Sequence, residues 1–145
     1  MPLRIPKMGR STFPILVVDD DADLRHALQD ILRDEGYLVA CVDNGRQALD
    51  VLQAGARPCV ILLDIKMPQM DGLTFRREQM QDPSIADIPV VFFTADSSGK
   101  GEAEGLGVTF FLKKPVDLLQ LLEMVAHHCD DPDRIEEPVR LSNTN

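Results

Sequence analysis

Several stretches of this chain place oxygen- or nitrogen-bearing side chains just after apolar runs. In "ILVVDDDADL", Ile15 to Leu24, four aliphatic residues break into carboxylates at Asp19, Asp20, Asp21 and Asp23. Asp64 follows "CVILL", Thr94 follows "VVFF", and Lys114 stands just beyond "TFFL". Two carboxylates about 4 Å apart, at an effective dielectric of about 20, repel by roughly 4 kcal/mol. A cluster of them at the end of a buried run therefore calls for a cation. Carboxylates completed by water and a backbone carbonyl make the oxygen-rich, octahedral site that suits Mg²⁺. A hydroxyl and an ammonium beside such a site suit an anion such as a phosphoryl group. An aspartate activated by the metal and held near that anion is itself a nucleophile, the chemistry of an aspartyl phosphate.

Such a pocket exists only if the chain brings these positions to one rim. Strand patterns fall at Ile15–Val18, Leu38–Val42, Cys59–Leu63, Val90–Phe93 and Thr109–Leu112. Each is short and almost continuously apolar, the mark of parallel strands covered on both faces. Between them lie helix patterns. Leu24, Ala27, Leu28, Ile31 and Leu32 follow helical spacing, and Gly36 is placed to end that helix. A second helix runs from about Gly45 to Ala54, with Asn44 as its cap and Gly55 as its stop; a third follows Gly72, with Pro83 beyond its end. In the last, Asp117 caps, and Leu118, Leu121, Leu122 and Val125 form the apolar stripe. The segment between Asp96 and Gly107 holds four glycines, each costing nearly 1 kcal/mol inside a helix. Its helix is expected to be short, distorted or mobile.

Alternating strands and helices with short connections imply an α/β fold. Five strands favour the flavodoxin-like (βα)5 arrangement, a doubly wound parallel sheet of order 2-1-3-4-5. Ligands of such folds bind outside the carboxyl ends of the strands, where Asp19, Asp20, Asp64, Thr94 and Lys114 would all stand.

The remaining properties narrow the class. The 145 residues suit one domain, 44% hydrophobic and 27% charged, as in an ordinary soluble globule. A formal net charge of -9 and no basic stripe argue against direct nucleic-acid binding. No apolar run approaches the roughly 18 residues of a membrane span. Residues 1–13 read as a disordered lead-in, 14–129 as the folded domain and 130–145 as a flexible tail without an output domain. Cys41, Cys59 and Cys129 lack CxxC spacing and read as small hydrophobes in a reducing cytoplasm. The run His127-His128-Cys129-Asp130 reads as a helix end rather than a metal site, because adjacent helix positions diverge by about 100°. Asp19, Asp21 and Asp23 mimic the opening of an EF-hand, but Leu24 stands where that loop needs Gly and Asp30 where it needs Glu.

Together, "ILVVDDDADL", "VILLDIKMPQMDGL", "IPVVFFTA" and "FFLKKP" closely resemble the receiver domain of two-component response regulators, over about Ile15 to His128. The resemblance implies that Asp64 is the phosphoacceptor, charged from a histidine kinase, a phosphotransfer protein or a small donor. It implies that Asp20, Asp64 and the Lys66 backbone carbonyl ligate Mg²⁺, with Asp19 acting mostly through water. Thr94 and Lys114 would bind phosphoryl oxygens, the Lys114–Pro115 bond would be cis, and Pro68 and Gly72 would fix the turn after Asp64. Thr94 and Phe111 would form the switch, which alters a partner surface on the fourth helix, fifth strand and fifth helix.

The chain departs from the pattern in two places. Phe111 replaces the commoner tyrosine, and the interval from Thr94 to Lys114 is about two residues short. The fourth helix is therefore expected to be truncated, which puts the usual dimer through that face in doubt. Lys66 and Asp96 are placed to pair across the pocket mouth and slow phosphoryl loss by hindering water. The expected molecule is a cytoplasmic phosphorylation switch, monomeric or weakly dimeric, that modifies itself rather than turning over a substrate. Rival readings are an adaptor that keeps the fold without phosphorylation, a receiver excised from a hybrid kinase, and a phosphatase of the haloacid dehalogenase type. The last wants D-x-D-x-Thr or Val, whereas Asp23 stands at the third position.

Overall fold

A computed structural model describes residues 12–95 and 97–130. The expected lead-in (apart from Thr12 and Phe13), Asp96 and the tail beyond Asp130 lie outside the described residues. Strands β1 (Ile15–Val18), β2 (Val39–Val42), β3 (Val60–Asp64), β4 (Val90–Thr94) and β5 (Phe110–Lys113) alternate with α1 (Ala22–Asp34), α2 (Gly45–Gln53), α3 (Gly72–Met80), α4 (Lys100–Gly105) and α5 (Leu118–Cys129). All strand pairs are parallel, in the order β2-β1-β3-β4-β5. This is the flavodoxin-like sheet expected from the pattern of elements.

Successive strand residues supply two cores, because side chains alternate across a sheet. Leu16, Val18, Ile61, Leu63, Val90 and Phe92 pack with residues of α2, α3 and α4. Ile15, Val17, Val60, Leu62, Val91 and Phe93 pack with residues of α1 and α5. Burying a Phe such as Phe92 or Phe93 contributes about 2–3 kcal/mol. Both faces are covered, which is why the strand sequences are continuously apolar.

The helices start where short polar side chains accept from the backbone. Asp21 accepts from the Asp23 and Leu24 amides, Asn44 from Gln47, Asp71 from Thr74 and Asp117 from Gln120. Of the opening carboxylates, Asp21 is thus the cap, and Asp23 lies in the first turn. Helix α4 has six residues, fewer than two turns, as its glycines foretold. It is fastened to α3: Arg76 Nε donates to the Leu106 carbonyl at 3.0 Å, and Arg77 pairs with Glu102. The buried Arg76 also donates to Gln79 Oε1 at 2.8 Å, and Gln79 Nε2 donates to the Ile85 and Ile88 carbonyls.

Several details correct the sequence reading. Ala27 is exposed, and the buried face of α1 is set by Leu28 and Leu32. Leu118 is 48% exposed; Leu121, Val125 and Cys129, spaced by four, are buried, and Leu122 and Met124 pack beside them. Leu38 precedes β2 and is exposed. The cysteines are the larger correction. Cys59 and Cys129 form a disulfide with their Cα atoms 5.3 Å apart, across 70 residues, while Cys41 is a free thiol. The entry to β3 and the exit of α5 meet at the base of the sheet, a proximity that topology creates and local spacing does not show. His127 and His128 pack their rings with Phe110, in keeping with a helix end.

Candidate functional site

Parallel pairing brings the expected residues to one rim. Val18 is level with Leu63, Asp64 with Phe93, and Thr94 with Lys113. Asp19 and Asp20 therefore leave β1 beside Asp64 at the end of β3, while Thr94 and Lys114 stand on the other side. Among the described residues, Asp19, Asp20 and Asp64 form the one cluster of three potential metal-ligating groups, with a ligand oxygen from each within 4.8 Å of the others.

The three carboxylates have different surroundings. Asp19 is fully buried, and both its oxygens are engaged: Oδ1 accepts from the Asp21 amide at 2.9 Å and Oδ2 from Lys114 Nζ at 3.0 Å. Arg25, which the sequence reading did not single out, donates to the Asp19 carbonyl at 2.7 Å and holds the start of the β1–α1 loop. Asp20 is exposed. Asp64 is nearly buried, with Oδ2 lying 3.3 Å from Lys114 Nζ. Burial first, then the charge of Asp19, raises the Asp64 carboxyl above its ordinary value; Lys114 and the Lys66 amide, which donates to it, only partly offset this. Burial works to lower the Lys114 ammonium, but its hydrogen bond to Asp19 and the charges of Asp64 and Asp19 outweigh burial and raise it.

The donor set fits a hard divalent cation. It is all oxygen, carries more negative charge than Lys114 neutralises, and opens to solvent through Asp20. The engagement of both Asp19 oxygens leaves Asp20 and Asp64 as the carboxylates better placed for direct contact.

A cleft of about 140 Å³ adjoins this cluster, lined by Asp64, Lys66, Thr94, Ser98 and Lys114 among others. Such a space admits a phosphoryl group and little more. Ser98 is the member the sequence reading missed; its signal was a hydroxyl in the loop four residues after Thr94. Lys66 is exposed at the edge of the cleft, and its expected partner Asp96 lies outside the described residues. Phe111 is half-buried, its ring stacked on Phe92 at 6.3 Å between centroids, with Lys100 Nζ 5.3 Å from its own centroid.

The loop after Asp64 is held by backbone constraints. The Met70 amide donates to the Pro68 carbonyl at 2.8 Å, a γ-turn that puts Gln69 at φ 69°. The Gly72 amide donates to the Ile65 carbonyl at 2.7 Å. A Cβ at Gly72 would lie 2.5 Å from the Asp64 carbonyl oxygen, so only glycine lets α3 start this close to the site. Across the pocket the Lys114–Pro115 bond is cis, as the resemblance implied.

Comparison with known proteins gives one result. The family profile described as response regulator receiver domain matches residues 15–126. The response regulator MprA of Mycolicibacterium vanbaalenii is 39% identical over 110 residues; the match takes in 74% of this chain, which spans 46% of MprA, about half its length. The chemotaxis protein CheY4 of Vibrio cholerae superposes with a TM-score of 0.75 at 31% identity, covering 81% of this chain and 99% of that one. The receiver domain of sensor histidine kinase PA1611 from Pseudomonas aeruginosa, solved with a magnesium ion coordinated in its active-site cleft, superposes with a TM-score of 0.74 at 25% identity, covering 81% of this chain and 98% of that one.

Proposed function

This chain belongs to the response regulator receiver domains, and on that premise we propose that it is a phosphorylation switch whose phosphoacceptor is Asp64. The phosphoryl group comes from a phosphohistidine on a sensor histidine kinase or phosphotransfer protein, or from a small acyl phosphate. The observation that carries this reading is the Asp64 carboxylate itself. It stands in a cluster of three acidic side chains, 3.3 Å from the Lys114 ammonium, at a cleft shared with Thr94.

Asp64 attacks phosphorus in line; the new Asp64 oxygen–phosphorus bond forms as the bond to the donor imidazole breaks, and that electron pair leaves on the imidazole nitrogen. Lys114 transfers part of its pairing from the carboxylates to a phosphoryl oxygen, and Thr94 donates its hydroxyl to another. Asp20, Asp64 and the Lys66 carbonyl, with Asp19 beside them, would hold Mg²⁺, which would supply positive charge to neutralise the transferred group. Recruitment of Thr94 draws the β4–α4 loop inward, and the Phe111 ring, which now stacks on Phe92 with Lys100 beside it, follows into the space left. Phe111 acts sterically, having no hydroxyl to bond. A partner protein reads the result on α4, β5 and α5, where the short α4 makes the face unusual.

The molecule modifies and restores itself rather than turning over a substrate, works in the cytoplasm, and is monomeric or weakly dimeric through exposed Leu118 and Leu119. No described helix is long and apolar enough to cross a membrane. Lys66 at the cleft edge shields the acyl phosphate from water, so Lys66→Ala speeds its hydrolysis; an unchanged rate removes that role.

The deciding experiment is intact mass after incubation with acetyl phosphate and Mg²⁺. One phosphoryl adduct, absent from Asp64→Asn and from a Mg²⁺-free sample, is expected. An unmodified chain that also ignores beryllofluoride would favour the phosphorylation-independent adaptor.

A further inference from the structure

At the base of the sheet, away from the phosphoacceptor, a second cleft of about 450 Å³ is lined by Pro58, Cys59, Asp87, His128, Cys129 and Asp130 among others. The Cys59–Cys129 disulfide lies in its wall. Cys129 is buried, whereas Cys59 is partly exposed, its Sγ lying 3.5 Å from the Phe13 carbonyl oxygen, so Cys59 is the more accessible of the two to an incoming thiol. The bond joins the entry of β3 to the last residue of α5. Other contacts at that end include Tyr37, whose hydroxyl donates to Asp130 Oδ1 at 3.0 Å, the His127 and His128 rings on Phe110, and core packing. Persisting disulfides are uncommon where glutathione keeps thiols reduced, and those found there are usually transient or sensing.

We propose that Cys59 and Cys129 are a reversible thiol–disulfide site, entered through this cleft by a small thiol of neutral or positive charge, which fixes the end of α5 when oxidised and frees it when reduced. A thiolate attacks Cys59 Sγ; a mixed disulfide forms, the Cys59–Cys129 bond breaks, and the electron pair leaves on Cys129 Sγ, which takes a proton from water. A second thiol attacks the mixed disulfide and releases the Cys59 thiol with one external disulfide. Two external thiols are thereby oxidised and two cysteines reduced, and an external disulfide reverses the sequence. The charge preference follows from Asp87 and Asp130. Burial lowers the pKa of His128, which lines the same cleft; its bond to the Met124 carbonyl only partly offsets this, and His127 adds to the lowering.

The site is independent of the phosphoacceptor reading, although its reversibility rests on the cytoplasmic location proposed above. Cys59 and Asp64 are at opposite ends of β3, about 16 Å apart at strand rise. Acetyl phosphate labelling is accordingly expected at the same rate in both redox forms, and its failure would leave the thiol chemistry untouched.

The test uses the full chain, equilibrated in air and treated with maleimide before and after reduction. One modified cysteine, Cys41, is expected before reduction and three after. Hydrogen exchange at residues 126–130 is expected to rise at least about tenfold on reduction. Cysteamine should reduce the bond about threefold or more faster than glutathione at equal thiolate concentration. Cys59→Ser and Cys129→Ser should reproduce the reduced pattern and Cys41→Ser should not; if the variants fail to fold, reduced wild-type chain supplies the comparison. Three modified thiols at the outset overturn the site. Equal exchange in the two forms overturns its action on α5, and faster reduction by glutathione overturns the route through the cleft.

Discussion

Replacing Asp64 by Asn should stabilise the metal-free protein and abolish its response to Mg²⁺. The oxygens of Asp19, Asp20 and Asp64 lie within 4.8 Å of one another. At that distance and an effective dielectric of about 20, each pair repels by about 3.5 kcal/mol. Lys114, 3.3 Å from Asp64, returns about 5 kcal/mol on the same scale, but it is shared with Asp19 at 3.0 Å. Repulsion and burial together exceed what Lys114 restores, in agreement with the raised Asp64 pKa. Allowing for solvent screening at exposed Asp20, the substitution should gain about 1–2 kcal/mol at pH 7. The sign follows from linkage. A carboxyl raised in the folded state costs stability when ionised, so the cost is full above the folded pKa and disappears as pH falls below the ordinary 3.8. The gain from Asp64→Asn must shrink over the same window. Urea unfolding with and without Mg²⁺ reads both effects. At a hundredfold excess over its dissociation constant, Mg²⁺ should add about 2.7 kcal/mol to the wild type. It should add little to the variant, reversing the order of stability. A variant less stable than wild type without metal, or equally stabilised by it, would refute the electrostatic account.

Three further outcomes follow from the same geometry. Gly72→Ala should cost about 3 kcal/mol in urea unfolding and slow acyl-phosphate labelling, because its Cβ meets the Asp64 carbonyl at 2.5 Å and the Phe92 ring at 2.8 Å; a loss under about 1 kcal/mol would mean that α3 can retreat. Gln79→Ala should cost about 3 kcal/mol by stranding Arg76 and the Ile85 and Ile88 carbonyls, whereas a near-neutral result in the same assay would show water taking its place. Calorimetric Mg²⁺ affinity should begin to fall at a pH above the ordinary carboxylate range as acid is added, because protons compete for a carboxyl whose pKa is raised; an affinity flat down to pH 4 would contradict that shift.

Much of this was legible in the sequence because it depends on chain order. Continuous apolar runs announced strands covered on both sides, and parallel pairing then had to bring Asp19, Asp20, Asp64, Thr94 and Lys114 to the same ends. The glycines between Asp96 and Gly107 likewise foretold an α4 of six residues. What escaped notice depends on distant contacts. Cys59 and Cys129 are 70 residues apart, and nothing local to either marks the other. Arg76 and Gln79 were not singled out, yet they are buried, where backbone carbonyls of the α4 end and a loop accept from them. Leu118 fitted the stripe of α5 by period, but at the first turn of the helix it is exposed while Leu121, Val125 and Cys129 are buried.

The attachments of α3 have a mechanical consequence. Its first residue is bonded to the carbonyl of Ile65, next to Asp64, and Arg76 and Arg77 at its middle grip Leu106 and Glu102 of the α4 region. A nine-residue helix is a stiff rod about 13 Å long. Any displacement of the loop after Asp64 would therefore reach α4 as translation of that rod, without any side chain having to rotate. Under the proposed switch, the face of α4, β5 and α5 would then have two inputs of different character: an aromatic ring that turns, and a strut that pushes.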